Sequence, residues 1–94
     1  MYKDSEEEIK KKIIEIFNFG IVMFPEHIQK RMKERNYNLR DIMYIIRSAP
    51  ILKLEKEGKD KDRYEVLGTD IEGESSKVVL DIIKNKKLRI VTVI

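Results

Sequence analysis

The sequence predicts an α+β fold, with three N-terminal helices packed on an antiparallel sheet of about four strands. Through the first half of the chain, apolar residues recur with the 3.6-residue period of a helix. Through the second half they alternate with polar residues, as in a strand with one wet face. Because 94 residues supply one hydrophobic core, we expect a single domain spanning 1–94.

The first helix is expected over about residues 5–18. Ser5 followed by Glu8 is typical of a capping box, in which each residue binds a backbone N–H that the first turn leaves unpaired. The apolar stripe that follows has the spacing of an amphipathic helix and comprises Ile9, Ile13, Ile16 and Phe17. This pattern ends near Gly20.

Two shorter helices are expected over about residues 25–35 and 39–48. Pro25 suits the first turn of the second helix because its missing N–H is not needed there. Asn38 can cap the third helix. The expected inward-facing residues are Phe24, Ile28 and Met32 in the second helix, and Leu39, Ile42, Met43 and Ile46 in the third.

Four strands are expected over about residues 50–57, 62–70, 76–84 and 87–94. The first two alternate apolar and charged residues, as in "ILKLEKEG" and "DRYEVLGTD". The last two, "SKVVLDIIKN" and "KLRIVTVI", are denser in branched apolar residues. We therefore expect the last two strands in the better-covered centre of the sheet.

The composition excludes several classes of protein. No apolar run approaches the roughly 20 residues that span a bilayer, and the N-terminal stretch lacks the apolar segment of a secretory signal. With no cysteine and one histidine, thiol nucleophiles, disulfides and zinc sites built from several Cys and His are excluded. We expect a cytoplasmic protein with no membrane contact, no metal and no cofactor.

Positive charge is concentrated in the middle of the chain. Residues 24–49 hold six Lys or Arg against three Asp or Glu, a net +3 that equals the net charge of the whole molecule. A charge of this size attracts polyanions modestly, so nucleic acid is a possible partner.

The only histidine begins a row of basic residues spaced four apart: His27, Arg31 and Arg35. On a helix this spacing places all three on one side, on the flank of the inward-facing line and near the sheet edge, where Arg63 or Tyr64 could meet them. Metal-independent RNA cleavage needs a base, an acid and cations that stabilise charge on the phosphate. These residue types suffice for that chemistry.

Structural explanations of the same residues remain open. His27 could be a packing or capping residue, and Arg31 and Arg35 could form a solvated face paired with nearby glutamates. Arg63 and Tyr64 could be the wet and dry sides of one strand.

Two further cations are candidate substrate-binding residues. Arg89 is flanked by apolar residues in the last strand, and Lys53 lies in the first strand. For Arg89, the alternative is simple exposure on the open face of the sheet.

The chain from about Gly20 to Ile94 resembles a family of small uncharacterised domains related to RelE/ParE-type toxins. The resemblance is carried by "EHIQKRMKERN", "NYNLRDIMYIIRSAP", "DRYEVLGTD", "SKVVLDII" and "LRIVTVI", the last with Thr92 in a matching position. The order of elements is also similar to that of the BrnT and MqsR toxins.

The resemblance implies a RelE-like architecture and metal-independent cleavage of mRNA, restrained by a cognate antitoxin. It also implies mRNA or the ribosome as a further partner. It points to catalytic roles for His27, Arg31, Arg35, Arg63 and Tyr64, with Arg89 as a further candidate.

Two other classes of function remain open. The chain could be a non-catalytic protein-binding module, in which the sheet or the first helix docks a partner or forms a homodimer. It could instead be a small nucleic-acid-binding regulator that uses the 24–49 region, although few aromatic residues are left for base stacking.

Overall fold

The computed structural model describes residues 5–94. Its helices are α1 (Glu6–Phe19), α2 (Glu26–Glu34) and α3 (Leu39–Ser48). Its strands are β1 (Ile21–Met23), β2 (Ile51–Glu57), β3 (Lys61–Thr69), β4 (Ser75–Ile83) and β5 (Lys87–Val93). Within this part of the chain, no helix is both long and apolar enough to cross a membrane.

The five strands form one mixed sheet in the order β1-β5-β4-β3-β2. β2 to β5 pair antiparallel in sequence order, and β1 adds to the outer edge of β5 in parallel. The α+β class is therefore confirmed, with the last two strands of the chain in the interior of the sheet.

The expectation of about four antiparallel strands missed β1. Ile21–Met23 is only three residues long, so the alternation that identifies a strand has no room to appear. Its partner is β5, at the other end of the chain, and local pattern carries no signal for so distant a pairing.

Both expected helix caps are present. Ser5 accepts a hydrogen bond from the N–H of Glu8, whose side chain accepts in return from the N–H of Ser5. Asn38 and Asp41 form the same reciprocal pair at the start of α3. These pairs fix where two of the helices begin.

The hydrophobic core lies between the helices and one face of the sheet. Leu39, expected to face inward, is 46% exposed, and Ile45 is buried instead. The physical reason is that a second stripe on α3 has the same i, i+3, i+4, i+7 spacing: Ile42, Ile45, Ile46 and Ala49. Spacing alone does not distinguish the two stripes.

The other face of the sheet, here called the open face, carries the alternate side chains of the strands. On β3, Tyr64 and Val66 are buried on the helix side, so Arg63, Glu65 and Leu67 point the opposite way. The strand register extends this face across the sheet. Much of it is charged.

Candidate nucleic-acid interface

His27 and Arg31 lie on the side of α2 that faces the edge of β5. His27 Nε2 is 3.4 Å from the carbonyl oxygen of Val91, and Arg31 Nε donates to the carbonyl oxygen of Val93 at 3.1 Å. β1 pairs with β5 only over Lys87 to Arg89, so these carbonyls lie beyond the paired stretch. α2 occupies the position along β5 that a longer β1 would fill.

The spacing of this pair has a geometric explanation. Four residues of an α-helix advance by about 6 Å, and two residues of a strand advance by about 6.7 Å. Helix side chains at i and i+4 can therefore reach strand carbonyls at j and j+2. His27 and Arg31 contact the carbonyl oxygens of Val91 and Val93, which point outward from the edge of the sheet. Both side chains therefore have a structural role in pairing backbone acceptors that no neighbouring strand pairs.

Arg35, one helical step further, lies past the end of β5 and meets Tyr37. Arg35 Nη2 donates to the Tyr37 hydroxyl at 2.8 Å, and its guanidinium carbon is 5.0 Å from the centre of the ring. The hydroxyl donates to Asp70 Oδ2 at 2.9 Å and lies 2.8 Å from Ser76 Oγ. This network ties the α2–α3 connection to the β3–β4 turn.

Asp70 organises that turn. The backbone N–H groups of Glu74 and Glu72 each donate to its Oδ1 at 2.9 Å. Hydrogen bonds from Glu74, Tyr37 and Glu72, together with the charge of Arg35, lower the pKa of Asp70 despite its burial.

The cleft beside this network is acidic. It measures about 420 Å³ and its charged lining comprises Arg35, Asp41, Asp70, Glu72 and Glu74. With one cation against four carboxylates, this cleft disfavours a phosphate, and Arg35 already contacts Tyr37.

Arg63 is held on the open face by a buried carboxylate. Its Nε and Nη2 donate to Asp81 Oδ1 and Oδ2 at 2.8 and 3.1 Å, a bidentate pair. Lys61 Nζ lies 3.9 Å from the same carboxylate, whose side chain is 1% exposed. The hydrogen bond that Arg63 donates to Asp81 raises the pKa of Arg63, so this cation is both permanent and fixed in place.

The open face as a whole is basic. Its cations are Lys53, Lys56, Lys61, Arg63, Lys77, Lys87 and Arg89, and its anions are Glu55, Glu65 and Asp81. Among residues 5–94, seven cations against three anions leave this face a net charge of +4, compared with +3 for the whole chain. Lys77 pairs with Glu65 at 3.2 Å, whereas Lys53, Lys87 and Arg89 are exposed.

Tyr64 lies on the opposite side of the sheet from its neighbour Arg63. Its side chain is 7% exposed and packs in the core beneath the helices. The sheet itself therefore separates this ring from the guanidinium group.

The structure thus brings together three of the seven predicted site residues: Lys53, Arg63 and Arg89 share the open face. His27 and Arg31 lie at the β5 edge, two strands or about 10 Å away from the β3 backbone that carries Arg63. Arg35 belongs to the Tyr37 network, and Tyr64 to the core.

Sequence reasoning missed Asp81, the residue that positions Arg63. A signal was present: a lone carboxylate inside the apolar run "VVLDII" must either face solvent or have a cationic partner, because an unpaired buried charge is costly. The partner lies 18 positions away on β3, a separation that only the strand register supplies. Asp70 and Tyr37 were missed for the same reason.

Fold and surface together define a small α+β domain with helices on one face of a mixed sheet and a basic layer of side chains on the other. The family model described as Domain of unknown function (DUF4258) matches residues 24–94, and the chain belongs to this family. No curated protein and no solved structure matches the chain.

Proposed function

We propose that this domain binds RNA across the open face of its sheet. The observation that carries the proposal is the net charge of +4 on this face, which contains three of the predicted site residues, Lys53, Arg63 and Arg89. Cations gathered on one surface attract a phosphate backbone far more effectively than the same charge spread over the molecule.

Phosphate contacts dominate in this proposal. Tyr64 faces the core, so it offers no stacking surface to bases lying on the open face. Affinity then depends on the salt concentration, and sequence preference is weak. Arg63, fixed by Asp81, provides one preorganised contact, and the exposed Arg89 on the other side of Asp81 provides a second.

The toxin-like part of the proposal rests on the resemblance of "EHIQKRMKERN" and "DRYEVLGTD" to RelE/ParE-type toxins. We infer mRNA as the target, a cytoplasmic site of action and a cognate antitoxin as partner. In the cleavage form of this function, Arg63 and Arg89 stabilise charge on the phosphate. Proton transfer falls to Lys53, on the strand next to Arg63, because His27 and Tyr64 do not lie on this face.

Salt-dependent binding tests the RNA proposal. A fluorescein-labelled single-stranded RNA is titrated with the protein at several salt concentrations, and the slope of log affinity against log salt is measured. We expect Arg89→Gln to weaken binding and to reduce this slope by about 0.7, the value for one lost phosphate contact on a single strand.

The matched control is Arg47→Gln, which removes the same charge from an exposed position on α3, in the helix layer. Binding by this variant should keep the slope of the unchanged protein. Equal losses in the two variants would show that binding follows net charge and not the open face.

Cleavage is tested separately, with end-labelled RNA in the presence of a metal chelator and with growth after induction in bacteria. We expect cleavage and growth arrest that the pair Lys53→Gln and Arg89→Gln relieves. Relief by His27→Gln alone, with the open-face pair still toxic, would place the reaction at the β5 edge. RNA binding without cleavage or arrest would leave a binding module.

A further inference from the structure

β1 is an edge strand with one side paired. Its Ile21 N–H donates to the Lys86 carbonyl, and the register sets Ile21 and Met23 against β5. In a parallel ladder alternate residues bond to opposite sides, so the N–H and C=O of Val22 point away from β5. An added strand would bind at these groups.

Apolar side chains flank this edge on both sides. On the side of the open face and the end of α1, the exposed residues are Phe19 at 86%, Ile21 at 55% and Met23 at 40%. On the helix side lies a groove of about 890 Å³ with Val22, Phe24 and Met32 in its lining. Three large exposed apolar residues in one short stretch are typical of a protein-binding surface.

The opposite edge of the sheet, formed by β2, is poorly suited to pairing with an added strand. On β2, the Leu52 N–H already donates a hydrogen bond to Glu6 Oε1 at 3.1 Å. A bulge between Leu54 and Lys56 disrupts the strand, and charged residues follow it. These features block the addition of another strand at β2, and β1 has none of them within the described residues.

Charge around the β1 edge selects the partner. Lys30 and Lys33 line the groove, Lys86 contacts the start of β1, and Lys87 and Arg89 lie opposite Ile21 and Met23. The nearby anions are Glu15 and Glu26. In the part of the chain that the structure describes, these five cations and two anions give a net charge of +3 around an apolar strip.

We propose that β1 docks an extended segment of a partner protein in which acidic residues alternate with apolar ones. The segment adds to the sheet as a sixth strand, bonding to the backbone of Val22. Its apolar side chains enter the groove beside Phe24 and Met32. Its carboxylates lie on the side of the open face, where Lys87 and Arg89, two strands away across β1, attract them at longer range. This inference does not depend on RNA binding.

A synthetic nonapeptide that alternates glutamate with valine serves as the probe, titrated into the full chain by calorimetry and by amide NMR. We expect saturable binding and slowed hydrogen exchange at the Val22 amide. A peptide with lysine in place of glutamate should bind on the order of tenfold more weakly, because like charges then face each other. A peptide with proline at its centre, which lacks the central N–H, should also lose affinity.

Two protein variants locate the site. Ile21→Glu, which sets a carboxylate on the β1 edge, should weaken peptide binding on the order of tenfold. Ile51→Glu makes the same change on the β2 edge, where Ile51 is also exposed, and should leave binding within about twofold.

The proposal fails if the lysine peptide binds as tightly as the glutamate peptide, or if both protein variants weaken binding equally. It also fails if the protected amide lies in β2. Protection of Val22 in a dimer without peptide would show that a second copy of the chain occupies the edge, and would overturn the proposal too. RNA binding is measured independently, so either idea can fail alone.

Discussion

Basic side chains occupy two regions of this molecule, the side of α2 and the open face of the sheet, and they have different partners in the two regions. On α2, His27 and Arg31 contact backbone carbonyls of β5. On the open face, Arg63 meets a buried carboxylate and Arg89 extends into solvent. The role of a basic side chain therefore depends on which acceptors its neighbours leave unpaired.

The largest effect should come from the open face. Arg63→Met leaves the buried carboxylate of Asp81 without its bidentate partner, and we expect a loss of about 3 kcal/mol in the free energy of unfolding. Urea denaturation measures this loss. Lys53→Met, an exposed change on the same face, should shift stability by less than about 0.5 kcal/mol. Similar losses in both would mean that Arg63 is an ordinary surface residue.

An intermediate effect on the free energy of unfolding is expected at Tyr37, which links the end of α2 to the β3–β4 turn. Tyr37→Phe keeps the ring but removes the hydroxyl that links Arg35, Asp70 and Ser76, and we expect a loss of about 1.5 kcal/mol at pH 7 by thermal or urea unfolding. Tyr44→Phe, at an exposed tyrosine on α3, is the control and should be nearly neutral.

The loss of stability in Tyr37→Phe should depend on pH. The pKa of Asp70 lies below its ordinary value of 3.8, so its ionised form stabilises the fold above about pH 4, and that stability is lost as the pH falls through the folded-state pKa. Since Tyr37 donates to the carboxylate, the cost of Tyr37→Phe should shrink over the same acidic range. A cost independent of pH down to about 2 would show that the hydroxyl acts elsewhere.

The smallest effects belong to α2. Arg31→Met leaves the Val93 carbonyl without a side-chain donor, and we expect a loss of about 1 kcal/mol, with His27→Gln costing less because its contact is longer and exposed. Lys30→Met on the same helix controls for lost charge. If Arg31→Met is neutral, the match between helix and strand spacing contributes nothing to stability.

Local pattern predicted much of the fold. The capping box at Ser5, the cap at Asn38 and the stripe through Ile9, Ile13 and Ile16 are contained in short stretches of sequence, and the structure has each of them. The sequence did not predict β1, because three residues are too few to show the alternation of apolar and polar residues that identifies a strand. Leu39 was placed inward because two stripes on α3 have the same period.

The sequence predicted the candidate site less well than the fold. The residues on the open face, Lys53, Arg63 and Arg89, come from three strands, and nothing in their local surroundings shows that Asp81 lies between Arg63 and Arg89. The four-residue spacing of His27 and Arg31 was visible, but its match to the carbonyls of β5 was not, because that match needs the helix to run beside the strand.

Local sequence alone specified the three helices and the four longer strands, in their order, because propensity, capping and periodicity act over a few neighbouring residues. Contacts in the folded chain set which basic side chains bond within the sheet and which face solvent. That division depends on strand register and on the placement of α2 beside β5, and both are set by contacts between residues far apart in the chain.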